Sequence, residues 1–74
     1  MHIIKKMTKR TFTLILKKYG LECDVEKLYK YGFYNATDVY YMDHEDIERL
    51  RLNGTWAQYC FMYKTETGKE HKYP

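Results

Sequence analysis

Residues 42–54 read Met42-Asp43-His44-Glu45-Asp46-Ile47-Glu48-Arg49-Leu50-Arg51-Leu52-Asn53-Gly54. Asp43 followed three residues later by Asp46 resembles a capping box, with Asp in place of the usual Glu or Gln. The first turn behind Asp43 is acidic, which suits the positive end of a helix dipole. Ile47 and Leu50 fall three residues apart on an inner face, Leu52 closes the helix, and Asn53-Gly54 breaks the chain. The stretch therefore predicts a short, capped helix between two turns.

The same grammar extends in both directions. Downstream, a last helix starts near Thr55, with Trp56, Tyr59, Cys60 and Tyr63 at the i, i+3, i+4, i+7 spacing of one face. Beyond Lys64 the sequence becomes polar and ends in proline, so residues 65–74 read as a flexible tail. Upstream, Asn35 or Thr37 opens a short helix carrying Val39, Tyr40 and Met42. Before it, Asp24 is placed to cap a helix with Val25, Leu28 and Tyr29 inside, ended by Gly32, after which Phe33 turns inward. The first helix runs from about Thr8 to Tyr19, with Phe12, Ile15, Leu16 and Tyr19 on one face and Gly20 as a left-handed cap. Residues 1–7 are a basic leading segment. No stretch alternates with period two for more than a few residues. These segments predict an all-α fold, a compact five-helix bundle over residues 8–64.

Composition limits what such a chain can do. Seventy-four residues make one domain near the lower limit for a single hydrophobic core. Hydrophobic residues are 45% and charged residues 31%, which excludes a disordered chain. Nine tyrosines against three phenylalanines suit a core too small to hide every ring. The net charge of +3 is too small to argue for nucleic acid, but it is unevenly spread. Residues 1–30 carry a net +5 and residues 31–63 a net −3, so two copies can attract head to tail. Ordinary solvated faces account for the same split.

Cys23 and Cys60 have no C-x-x-C spacing, and a secreted domain of this size usually carries more cysteines. No apolar run is long enough to span a membrane, and the basic start is not followed by the apolar core of a signal peptide. Two free thiols and a cytoplasmic or nuclear location follow as expectations. The chemical inventory is poor. His2, His44 and His71 are scattered. His44 beside Glu45 and Asp46 is better explained by a capping turn than by a metal, since adjacent helical positions point different ways and a structural zinc takes four ligands. There is no nucleophile–base pair and no glycine-rich phosphate loop. The expectation is a protein that is not an enzyme, with no catalytic residue, metal, cofactor or small-molecule substrate.

The arrangement of residues 42–54 resembles the sterile alpha motif (SAM) family, whose members have five helices and a capped acidic turn leading into Leu-Gly-Ile, a glycine and the last helix. Gly54 matches the glycine that opens that helix, and Tyr59, Cys60 and Tyr63 its buried positions. Tyr19-Gly20-Leu21, Val25, Leu28 and Phe33 follow the family's spacing upstream, so the resemblance covers about residues 8–64. Four departures stand out: Arg51 replaces the glycine of Leu-Gly-Ile, the loop before Gly54 is short, Trp56 occupies a position where the family often has a cation, and the early Gly68 makes the last helix short.

The resemblance implies a protein–protein interaction module that binds itself or another SAM domain, with two surfaces. An acidic surface maps onto Asp38, Asp43, Glu45, Asp46 and Glu48, of which Asp43 and Asp46 also read simply as helix caps. A second surface at the start of the last helix maps onto Asn53, Gly54, Thr55, Trp56 and Gln58. Trp56 reads either as a core anchor or as an exposed contact. Lys5, Lys6, Lys9, Arg10, Lys17 and Lys18 form a possible basic contact, for the acidic surface of a neighbour or for phosphates. Residues 53–63 contain no Lys or Arg. The RNA-binding mode of part of the family depends on cations there, so RNA or anionic lipid ranks behind protein as a partner.

Overall fold

A computed structural model describes residues 8–71 of the chain. They form five helical segments, and no strand occurs among the described residues. Helix α1 spans Lys9–Lys18, capped by the Thr8 hydroxyl, which accepts from Thr11 N at 3.1 Å. Helix α2 spans Val25–Lys30, and a 3-10 turn at Glu22–Asp24 leads directly into it. The third segment, Ala36–Tyr41, is a 3-10 helix, with Asn35 and Asp38 forming a reciprocal capping box. Helix α3 spans His44–Arg49 behind the predicted box of Asp43 and Asp46, and α4 spans Trp56–Thr67 behind a second box of Thr55 and Gln58.

Three of the helices end by one device. At Tyr19-Gly20-Leu21, Tyr31-Gly32-Phe33 and Leu50-Arg51-Leu52 the middle residue is left-handed, with φ of 73°, 91° and 56°. Leu21 N donates to Leu16 O at 2.9 Å, Phe33 N to Leu28 O at 2.8 Å and Leu52 N to Ile47 O at 2.9 Å. These are the long 6→1 bonds of Schellman caps, which satisfy the orphan carbonyls at each helix end and turn the next side chain inward. Glycine occupies the left-handed position twice. Arg51 occupies it once, where a side chain costs about 1–2 kcal/mol.

The core consists of Phe12, Leu16, Leu21, Val25, Leu28, Ala36, Val39, Met42, Leu50, Leu52, Tyr59, Met62 and Tyr63. It contains most of the expected apolar positions, with Ile15, Tyr19, Tyr29, Phe33 and Tyr40 packed half-buried against it. Ile47, expected inside, is also only half-buried. Helix α4 is rotated from the expected face: Met62 is fully buried, while Trp56 and Cys60 lie at the margin. Apolar residues occur all around this helix, so spacing alone does not select its inner side.

Two further expectations change. Asp24 stands at the head of α2 but makes no side-chain cap bond there. Its carboxylate is fully buried and faces the other end of the chain. The segment after Lys64 is not a tail from its start. Helix α4 continues to Thr67, Gly68 caps it with φ 74°, and His71 returns to the core at 4% exposure. The His71 Nε2–H donates to Val39 O at 2.6 Å, and the ring meets Trp56 and Tyr63 edge-on, at 4.9 and 5.3 Å between centroids. The polar composition of residues 65–74 hid one aromatic anchor. Among the described residues, no buried side-chain nitrogen or oxygen lacks a hydrogen bond.

Candidate interaction groove

The turn from α3 into α4 is held from beneath. Asp24 Oδ1 accepts from Asn53 N at 2.7 Å, and Oδ2 accepts from Gly54 N at 2.9 Å and from the Tyr59 hydroxyl at 2.6 Å. Burial first, and then the bond to Asp24, push the Tyr59 phenol far above its usual range, so it stays a donor. Gly54 is required by space: a Cβ there would lie 2.1 Å from Leu21 Cδ2 and 3.0 Å from Tyr59 Cε2. With this turn fixed, Thr55 caps α4, and Gln58 reaches back to Thr55 N at 2.7 Å and across to Tyr19 O at 3.3 Å.

Above the clamp lies an open groove of about 450 Å³. Its apolar part is Ile47, Leu52 and Trp56, the first two being residues of the third Schellman cap. Glu45 and Glu48, both exposed, stand on the α3 side beside His44, and Asn53, Gly54 and Thr55 form the opposite side. The groove therefore joins members of both expected surfaces, which are separate in sequence.

It does not collect all of them. Asp46 is 2% exposed, accepts from Asp43 N at 3.0 Å and pairs with Arg49, so it is a structural carboxylate and not a contact. Asp43 is exposed but accepts from Glu45 N and Asp46 N at 3.1 and 3.2 Å. Asp38 accepts from Tyr34 N and Asn35 N at 2.7 and 3.2 Å and lines a different cleft. Gln58 is half-buried and engaged within the fold. Trp56 is neither fully core nor fully exposed, one side of it packing on His71 and another lining the groove. The apolar floor of Ile47 and Leu52 escaped the sequence because Ile47 reads as interior and Leu52 only as the residue that closes the helix. The signal for it was Arg51, whose left-handed turn carries Leu52 back over Ile47.

The basic contact divides as well. Lys5 and Lys6 lie outside the described residues. Lys9 pairs with Glu26 at 2.6 Å and Lys18 with Glu66 at 3.0 Å. The Tyr19 hydroxyl also donates to Glu66 at 2.6 Å, and these two donors, tyrosine first, hold that carboxyl below its usual range. Arg10 and Lys17 are exposed, and neither is in an ion pair among the described residues.

A second cleft, of about 610 Å³, lies between the 3-10 helix and α4, walled by Tyr40, Tyr41 and Tyr63 with Asp38 and Lys69 at its edge. Cys23 and Cys60 are not joined by a disulfide, and burial pushes the Cys60 thiol up, away from the reactive thiolate. Among the described residues, no three His, Cys, Asp or Glu are placed to hold a metal ion, and no helix is long and apolar enough to cross a membrane. Compared with family models, curated proteins and solved structures, the chain matches none.

Proposed function

We propose that this chain is a SAM-like interaction module that associates with itself or with another SAM domain through the groove between α3 and the start of α4. The observation that carries the reading is the joining of an apolar floor with two exposed acids, Glu45 and Glu48, at an open surface. Apolar area supplies affinity, acids at the rim supply orientation and selectivity, and tryptophan is the residue type most enriched at energetic centres of interfaces. Of the basic segment weighed for nucleic acid or lipid, Lys9 is paired with Glu26, Arg10 is exposed, and Lys5 and Lys6 lie outside the described residues.

Sedimentation and light scattering at low and high salt test the proposal, together with binding to another SAM domain. The expected result is salt-sensitive association that weakens in Glu45→Lys/Glu48→Lys and in Trp56→Ala. A strict monomer at high concentration, indifferent to salt and without affinity for any SAM domain, rejects it.

A further inference from the structure

We infer that the occupant of the groove is helix α1 of a second copy of this chain, seated by Leu14 between Arg10 and Lys17. The inference rests on the association proposed above and names its partner surface. Phe12, Ile15, Leu16 and Tyr19 define the inner face of α1. Arg10, Leu14 and Lys17 are spaced by four and three residues, so they form one stripe, and that stripe lies on the opposite side of the helix. Leu14 is 57% exposed, an apolar side chain left in water at the centre of a cationic row.

The two surfaces are complementary in charge and in shape. Lys9 and Lys18, the neighbours that flank the stripe, are neutralised by carboxylates, whereas Arg10 and Lys17 have no ion pair among the described residues. On the groove side Arg49 is committed to Asp46, so Glu45 and Glu48 are exposed and have no ion pair among the described residues. The two acids lie about 5–6 Å apart between Cβ atoms, as i, i+3 neighbours do. The two cations lie about 10 Å apart along α1, at a rise of 1.5 Å per residue, and their long side chains can converge over that difference. Leu14 then meets Ile47, Leu52 and the open side of Trp56, in a cleft large enough for one leucine side chain.

Knob and groove belong to different elements, so the contact is heterologous: each copy offers its groove to one neighbour and its α1 to another. Such an assembly grows as an open chain unless rotation closes it.

Two variants test this, each disabling one half. Leu14→Asp removes the knob, and Glu45→Lys/Glu48→Lys reverses the rim. All three positions are exposed, and unchanged circular dichroism and melting check the fold of both proteins. Each variant alone is expected to be monomeric, with self-affinity weakened by about 30-fold or more, the scale for losing a hot spot. Mixed in equal amounts they should form a one-to-one heterodimer, since the mixture holds one intact pair of surfaces. Heterodimer formation should weaken in 0.5 M salt, where the screening length falls to a few ångströms. Wild-type association that persists in Leu14→Asp, or a mixture that stays monomeric, overturns the α1 assignment while the interaction reading stands. A monomeric wild type that binds another SAM domain through Glu45 and Glu48 has the same consequence. A wild type that binds neither itself nor any SAM domain overturns both.

Discussion

The buried carboxylate of Asp24 accepts the hydroxyl of Tyr59, 35 residues away, at 2.6 Å. The same carboxylate holds the amides of Asn53 and Gly54, so one side chain of the first half fixes the turn on which the groove is built. Tyr59→Phe should cost about 1.5–3 kcal/mol, the usual range for a hydrogen bond to a charged group. Asp24→Ala should cost more, because it strands three donors. Chemical denaturation of both variants and the double variant measures the coupling, and costs that simply add would deny the link.

Leu28 is fully buried and Ile47 only half, so their truncations should differ. Leu28→Ala is expected to lose about 2–5 kcal/mol. Ile47→Ala should lose less than half as much and act mainly on association. Equal losses in urea melts would place Ile47 in the core and remove it from the groove floor.

Arg51, at φ 56°, holds a left-handed position that glycine fills in the two sister caps. Arg51→Gly relieves a strain of about 1–2 kcal/mol, and the freer unfolded chain offsets about 0.4–1 kcal/mol of that. A net gain of several tenths of a kcal/mol, read as a rise in Tm of a few degrees, is the expected outcome. A fall in Tm would mean that the arginine side chain contributes more than its backbone costs.

Glu66 gives the domain an acid-sensitive link between α1 and α4. Its folded carboxyl is held below the usual range by Tyr19 and Lys18. A depressed folded value contributes stability that is complete above the unfolded value, about 4.3 for glutamate, and that is lost as pH falls through the folded value. Thermal melts between about pH 6 and pH 3 should therefore show a shallower acid decline in Glu66→Gln than in the wild type. Identical slopes would exclude the link.

His71 covers the Val39 carbonyl and the edge of Trp56. His71→Ala should cost about 0.5–1.5 kcal/mol for one lost hydrogen bond, because Val39 O still accepts from Met42 N at 3.0 Å, and further stability through the lost ring packing on Trp56. Trp56 is the only tryptophan, so its fluorescence should shift in the folded state. An unchanged spectrum and Tm would show that residues beyond Gly68 do not dock.

Local signals made most of the helical frame legible. Thr8, Asn35, Asp43 and Thr55 each begin a helix with a side-chain bond to the third residue on, and Gly20 and Gly32 end helices with positive φ. These devices act within a few residues, and the sequence displays them directly. Asp24 was misread because a carboxylate before a helix has the same local signature whether it caps that helix or reaches a turn 30 residues away. His71 was missed because one aromatic in a polar stretch has no period. The groove was only half legible: its acids and tryptophan stood out by type, whereas Leu52 and Ile47 enter it through the geometry of Arg51.

The three Schellman caps also govern how this domain can change in length. Each reversal uses a single left-handed residue, and the next residue, Leu21, Phe33 or Leu52, is already packed on the core. One extra residue at any of these bends would carry that side chain out of its place and shift the register of every helix behind it. Gaps and insertions in descendants of this chain, and tags introduced by an experimenter, will be tolerated away from these bends and rejected at them.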